Sequence, residues 1–180
     1  MTDLLIRGGR ILDGSGTPAV EADLAVTDGR ITAIGDLSDV QATEIIDARG
    51  RMVCPGFIDI HTHSDLTLML EGRAPSSIAQ GITTQIAGNC GVSAAPTCDF
   101  EPYYGPLDPA MTRGLVCDWA GFADYFQRLE QQGVGTNVAT LVGHGNIRVA
   151  AMGYDNRAPT AAEMDCMREL THQAMTDGAV

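Results

Sequence analysis

Two histidines one residue apart give the clearest chemical signal in the sequence. His61 and His63 follow a short apolar run that predicts a strand over residues 53–60. Because side chains alternate between the faces of a strand, Asp59, His61, His63 and Asp65 are expected on one side. Neutral imidazole is the commonest metal ligand, so the pair predicts a metal site. Two histidines that are merely hydrogen-bonded in a loop are the alternative.

A cysteine follows the next predicted strand, residues 82–87. Cys90 lies in the glycine-flanked segment Gly88–Gly91, which places it at the same carboxyl end of the sheet as the histidine pair. A site that mixes thiolate and imidazole favours zinc over magnesium or calcium. Burial as a small apolar side chain is the alternative, because free cysteine is often buried.

Two further residues follow a third predicted strand, residues 137–142. His144 lies between two glycines and is expected to contact substrate or to support a metal ligand, although a structural role fits equally well. The Arg148 guanidinium could bind a substrate carboxylate in bidentate fashion, or form an internal ion pair. Asp65 completes the set of predicted substrate or supporting residues.

The elements that position these residues differ between the two parts of the chain. Residues 1–52 contain only short β runs separated by turns, and Asp28-Gly29 predicts a hairpin. The predicted runs are Leu4–Ile6, Arg10–Leu12, Asp23–Val26, Arg30–Ile34 and Glu44–Asp47. We therefore predict a small all-β domain over residues 1–52.

Residues 53–180 alternate strands with helical patterns, which predicts α/β structure with a parallel sheet. Helices are predicted over Pro75–Gln80, over Trp119–Gln132 with Asp118 as N-cap, and over Ala161–Thr176. Thr160 and Glu163 have capping-box spacing, and Ala179-Val180 looks like the start of a fourth strand. The long segment Pro96–Val116 is expected to be a lid or specificity loop.

Composition limits the classes of partner. The chain has 180 residues and a net charge of −12, and all 11 basic residues are arginine. This charge argues against nucleic acid and against anionic membrane surfaces, and favours a small-molecule substrate. No signal peptide or apolar segment of transmembrane length is recognisable. The five cysteines do not form a disulfide pattern, so we expect a cytoplasmic protein.

Several motifs resemble the amidohydrolase superfamily: Leu5–Ile11, Asp28–Ile31, Pro55–Asp65 and Gly81–Thr84. Two others, Gly88–Gly91 and Val142–Arg148, are similar to the N-acyl-D-amino-acid deacylases, or D-aminoacylases. The resemblance implies a metal-bearing β/α barrel beside a small β-sandwich formed by both chain ends. Residues 1–52 would then belong to the sandwich, and residues 53–180 to the first three β/α units of an incomplete TIM-like barrel.

The resemblance also implies a function. His61, His63 and Cys90 match the metal ligands of the deacylases, whereas the remaining zinc histidines and the catalytic Asp are expected beyond residue 180. The implied activity is zinc-dependent hydrolysis of N-acyl-D-amino acids to a carboxylate and a D-amino acid. The alternatives are a cyclic-amide hydrolase similar to dihydroorotase or hydantoinase, and a truncated remnant without activity. The 180 residues alone are expected to be inactive, and a complementing C-terminal polypeptide is a possible partner that would supply the missing residues.

Overall fold

The computed structural model describes residues 1–96 and 115–180, which divide into two compact units, Met1–Pro55 and Gly56–Val180. The first unit contains the strands β1 (Thr2–Ile11), β2 (Val20–Thr27), β3 (Arg30–Gly35), β4 (Ala42–Asp47) and β5 (Met52–Val53). The loop predicted between Pro96 and Val116 lies, apart from its ends, outside the described residues.

The first unit is one mixed sheet with the strand order β3-β2-β1-β4, in which β5 also pairs with β1. β1, β2 and β3 are antiparallel neighbours, whereas β4 and β5 run parallel to β1. The hairpin predicted at Asp28-Gly29 is confirmed, because Thr27 pairs with Arg30 across this turn. The prediction of separate runs before and after Gly8-Gly9 is wrong. A register shift between Ile6 and Gly9 keeps both runs in the single strand β1.

The second unit contains the parallel sheet β6-β7-β8, formed by Phe57–Asp59, Ile82–Ala87 and Asn137–Thr140. Its helices are α1 (Thr67–Leu70), α2 (Pro75–Ala79), α3 (Phe122–Gln132), α4 (His144–Met152) and α5 (Ala161–Thr176). After α5 the backbone N–H of Val180 donates to the Thr140 carbonyl at 2.9 Å, so the chain returns to the side of β8.

Two predicted elements of the second unit match the structure. β7 has the predicted limits, and α5 begins with the predicted capping box, in which Thr160 and Glu163 each bind the other's backbone N–H. The strand predicted over residues 53–60 is wrong as one element, since the Pro55-Gly56 break leaves Val53 in β5 and starts β6 at Phe57.

Other predicted limits in the second unit differ from those in the structure. Helix α3 begins at Phe122 after the N-cap Gly121, so the prediction that Asp118 caps a helix from Trp119 is wrong. Trp119 is instead buried in the irregular segment before α3, where its indole N–H donates to the Ala94 carbonyl at 2.8 Å. β8 ends at Thr140, two residues earlier than predicted, and helices α1 and α4 have no counterpart among the predicted elements.

The hydrophobic core of the second unit lies along α3. The predicted helical stripe is confirmed as core, with Phe122 and Leu129 buried and Phe126 partly buried against them. Tyr125 is fully buried, and its hydroxyl donates to the Asp65 carbonyl at 2.7 Å. The core is therefore hydrogen-bonded to the segment that contains the two histidines.

Within residues 1–96 and 115–180, none of the helices has the length and apolar character needed to cross a bilayer.

Candidate metal centre

The two histidines lie in a loop after β6. The strand ends at Asp59, whose carboxylate accepts a hydrogen bond from the His61 backbone N–H at 3.1 Å. The rings of His61 and His63 lie edge to face with their centroids 5.6 Å apart, and both side chains are exposed. The loop conformation, rather than strand alternation, thus brings the two imidazoles together.

Cys90 lies in a 3-10 turn, Asn89–Gly91, directly after β7. Its backbone is left-handed, with φ 56° and ψ 26°, and the flanking Gly88 and Gly91 also have positive φ. A left-handed conformation at a residue other than glycine costs about 1–2 kcal/mol and is typical of functional sites. In this conformation the Cys90 Sγ lies 3.4 Å from the His61 Nε2.

His61, His63 and Cys90 form a compact set of potential ligands. Their ligand atoms all lie within 4.8 Å of one another, and no other such group occurs in the part of the chain that the structure describes. Two imidazole nitrogens and one thiol sulfur are ligands that suit zinc. Three protein ligands also fit a catalytic zinc site, in which a coordination position is left for water or substrate.

Asp65 does not join this group. Because the strand ends at Asp59, alternation does not extend to Asp65, and its side chain is fully buried, whereas the two histidines are exposed. Its Oδ1 accepts a hydrogen bond from the Gly88 N–H at 2.8 Å. Burial raises the pKa of Asp65 to about 6, although the backbone N–H groups of Asp65 itself and of Gly88 oppose this rise.

His144 and Arg148 also lie outside the ligand group. His144 is exposed and forms the first residue of α4 rather than the end of a strand. Arg148 lies about one turn later, and its Nη2 donates to the carbonyls of Asp155 and Arg157 at 2.8 and 2.6 Å. These partners are carbonyls rather than the carboxylate expected for an internal ion pair. Roles of either residue in substrate binding stay predictions.

Sequence reasoning missed a buried hydrogen-bond network behind Cys90. The Asn146 amide is fully buried, accepts from the Ser93 N–H at 3.0 Å and donates to the Ser93 carbonyl at 2.7 Å. The Ser93 hydroxyl in turn accepts from the Gly143 N–H at 2.9 Å. The network joins the segment after β7 to the start of α4. Both motifs are visible in the sequence, but their contacts are not local.

Comparisons with known proteins agree with this geometry. The sequence model of the amidohydrolase family matches residues 44–179. A D-aminoacylase of Alcaligenes xylosoxydans xylosoxydans is 44% identical over 178 residues, which cover 99% of this chain and 36% of that protein. The chain therefore spans little more than one third of the length of this relative.

Solved structures give the same result. A D-aminoacylase with a binuclear metal centre matches with a TM-score of 0.91 and 39% identity over 100% of this chain and 38% of that one. An N-acyl-D-glutamate deacylase from Bordetella bronchiseptica, in complex with zinc and a phosphonate mimic of the tetrahedral intermediate, matches with a TM-score of 0.86 and 45% identity. This match covers 99% of this chain and 37% of that one. The comparisons confirm the resemblance predicted from the motifs, and the mixed α/β fold is that of the N-terminal region of these enzymes.

Proposed function

The chain belongs to the amidohydrolase family, and we propose that it forms the N-terminal part of a zinc-dependent N-acyl-D-amino-acid deacylase. The observation that supports this most directly is the convergence of His61, His63 and Cys90 in a chain that is 44% identical to a D-aminoacylase. The proposed reaction hydrolyses the amide bond and releases a carboxylate and a D-amino acid.

His61, His63 and Cys90 would hold the zinc ion. When bound, zinc supplies a Lewis acid that polarises the amide carbonyl and lowers the pKa of water. The chain's own contribution is to present two imidazole nitrogens and one cysteine sulfur from loops at the carboxyl ends of β6 and β7. Proton transfer to the leaving amine needs a further group, which we assign to an Asp beyond residue 180.

We further propose that the parallel sheet of the second unit corresponds to the first three strands of a TIM-like barrel. The first unit would then form part of a β-sandwich. The remaining zinc histidines would come from later strands, either of the same polypeptide or of a complementing C-terminal one. We propose a cytoplasmic enzyme with a small-molecule substrate and without nucleic-acid or membrane partners, consistent with the net charge of −12.

The test combines zinc content with a substrate panel on the protein purified from its own host. We expect bound zinc and release of amino acid from N-acetyl-D-amino acids. The Cys90→Ala variant is expected to lose both, whereas Cys166→Ala, which changes an exposed cysteine of α5, keeps both. Turnover of hydantoin or dihydroorotate without turnover of the D-substrates would favour the cyclic-amide alternative. Absence of any turnover in the complete protein would favour the inactive remnant.

A further inference from the structure

The two segments that contain the metal ligands exchange hydrogen bonds in both directions. From the histidine segment, the Asp65 carboxylate accepts from the Gly88 N–H at 2.8 Å. From the cysteine segment, the Asn89 side chain donates to the Thr62 carbonyl at 3.2 Å. The contact between Cys90 and His61 lies beside these two links. The distance between the ligands is therefore set by side chains that are not ligands themselves.

Asn89 makes the more specific of these links. The residue is 9% exposed, and its Nδ2 donates to two carbonyls, those of Thr62 and of Ile86, at 3.2 and 2.8 Å. The Ile86 carbonyl also accepts from the Thr62 N–H at 3.3 Å. Thr62 lies between the two histidines, so both of its backbone polar groups are tied to the end of β7. We call the two hydrogen bonds of the Asn89 Nδ2 the Asn89 bridge.

We propose that Asn89 is a positioning residue of the metal centre, whose bridge holds His61, His63 and Cys90 in place before the metal binds. This inference rests on the proposed metal centre. Because Asn89 precedes Cys90 directly, a shift of its side chain moves the left-handed turn that directs the sulfur towards His61. Partners that orient metal ligands typically change metal affinity by about 10- to 100-fold when they are lost.

The first variant, Asn89→Asp, removes the amide donor while the side chain keeps nearly the same shape. Asn89→Asp replaces the Nδ2 donor with an oxygen that faces two carbonyl oxygens, so both hydrogen bonds of the bridge are lost. Asn89→Ala removes the donor without adding charge. The matched control is Asn137→Asp, because Asn137 also donates from Nδ2 to a carbonyl of β7, that of Thr83 at 3.0 Å, but at the opposite end of the strands.

The measurement is titration of the metal-free complete protein, purified from its own host, with Co²⁺, followed by the thiolate-to-cobalt charge-transfer absorption. Both Asn89 variants are expected to bind Co²⁺ about 10- to 100-fold more weakly than the wild type. At saturation they should also show less charge-transfer absorption per bound ion, because Cys90 is displaced. Loss of stability alone would not change this last quantity. The control should match the wild type in both quantities, and circular dichroism verifies folding of each variant.

A second measurement needs no variant. If the bridge exists before metal binding, the Asn89 Nδ2 protons of the metal-free wild type exchange at least about tenfold more slowly than in an unstructured chain. Unprotected exchange of these side-chain protons overturns the inference, and so do Asn89 variants with wild-type affinity and absorption; both outcomes leave the metal centre intact. Absence of Co²⁺ binding by the wild type overturns the metal centre and the inference together.

Discussion

Replacement of Gly88 by alanine tests how closely the segment with the proposed cysteine ligand packs against the residues that follow β8. Gly88 has φ +77°, and a Cβ at this position would lie 2.0 Å from the Leu141 carbonyl oxygen and 2.8 Å from its carbon and nitrogen. An ordinary contact begins near 3.4 Å, so the two backbone segments would have to separate by roughly 1.4 Å.

The expected loss of stability has two parts. The left-handed backbone costs about 1–2 kcal/mol once a Cβ is present. The separation also strains the hydrogen bond from the Leu141 N–H to the Ala87 carbonyl, and the bond from the Gly88 N–H to the buried Asp65 carboxylate. Loss of a buried hydrogen bond to a charged group costs about 1.5–3 kcal/mol. We therefore expect Gly88→Ala to lower the free energy of unfolding by roughly 2.5–5 kcal/mol.

Gly91→Ala is the matched control in the same turn. Gly91 has φ +79°, but the space beside it is open, because the nearest heavy atom to an added Cβ is the Gly145 nitrogen at 3.8 Å. Only the backbone cost of about 1–2 kcal/mol is expected there. Urea unfolding of both variants measures the difference, and Co²⁺ titration should show weaker binding for Gly88→Ala. Equal free energies of unfolding for the two variants would refute the reasoning from close packing.

Three smaller predictions concern the core and helix α5. Tyr125→Phe removes the buried hydrogen bond to the Asp65 carbonyl and should cost about 1–2 kcal/mol in urea unfolding, whereas an unchanged midpoint would contradict this. Thr160→Ala removes the N-cap of α5 and should cost about 1 kcal/mol by the same assay; wild-type stability would show that the cap is dispensable. The hydrogen bond from the Arg157 side chain is the main reason why the pKa of Glu163 falls from 4.5 to about 2. The contribution of ionised Glu163 to the free energy of unfolding is therefore fully present above pH 4.5 and is lost as the pH falls through 2. Glu163→Gln should therefore be less stable than wild type at pH 7 but not at pH 2, and a difference independent of pH would contradict the pairing.

Local sequence signals are enough to predict the limits of an element when residues at its two ends mark where it begins and ends. β7 lies between Gly81 and Gly88, and α5 begins with the Thr160 capping box, so the predicted limits of both agree with those observed. The proximity of the histidines to Cys90 follows from placing each after a parallel strand. These predictions need only neighbouring residues and the general geometry of a parallel sheet.

The features of the fold and of the site that the sequence did not predict depend on contacts between residues that are distant along the chain. Helix α4 begins with His144-Gly145-Asn146, which are poor helix formers, and its start is held by Asn146 through Ser93, 53 residues earlier. The expectation that Asp65 shares one strand face with the histidines requires a strand that continues beyond Asp59, where β6 in fact ends. No local pattern encodes the end of the β6 ladder, or the hydrogen bonds that Thr62 then makes with the end of β7.

The short separation of the proposed metal ligands along the chain affects the order in which the protein can assemble. Cys90 follows His61 by only 29 residues, and Gly88, Asn89 and Thr62 lie within the same stretch. Closing a loop of this length is entropically inexpensive compared with longer ones. Synthesis proceeds from the N-terminus at about 5–20 residues per second, so His61, His63 and Cys90 leave the ribosome seconds before α5. A nascent chain can therefore bring His61, His63 and Cys90 together before α5 is made, and later strands would then add the remaining ligands of the proposed centre.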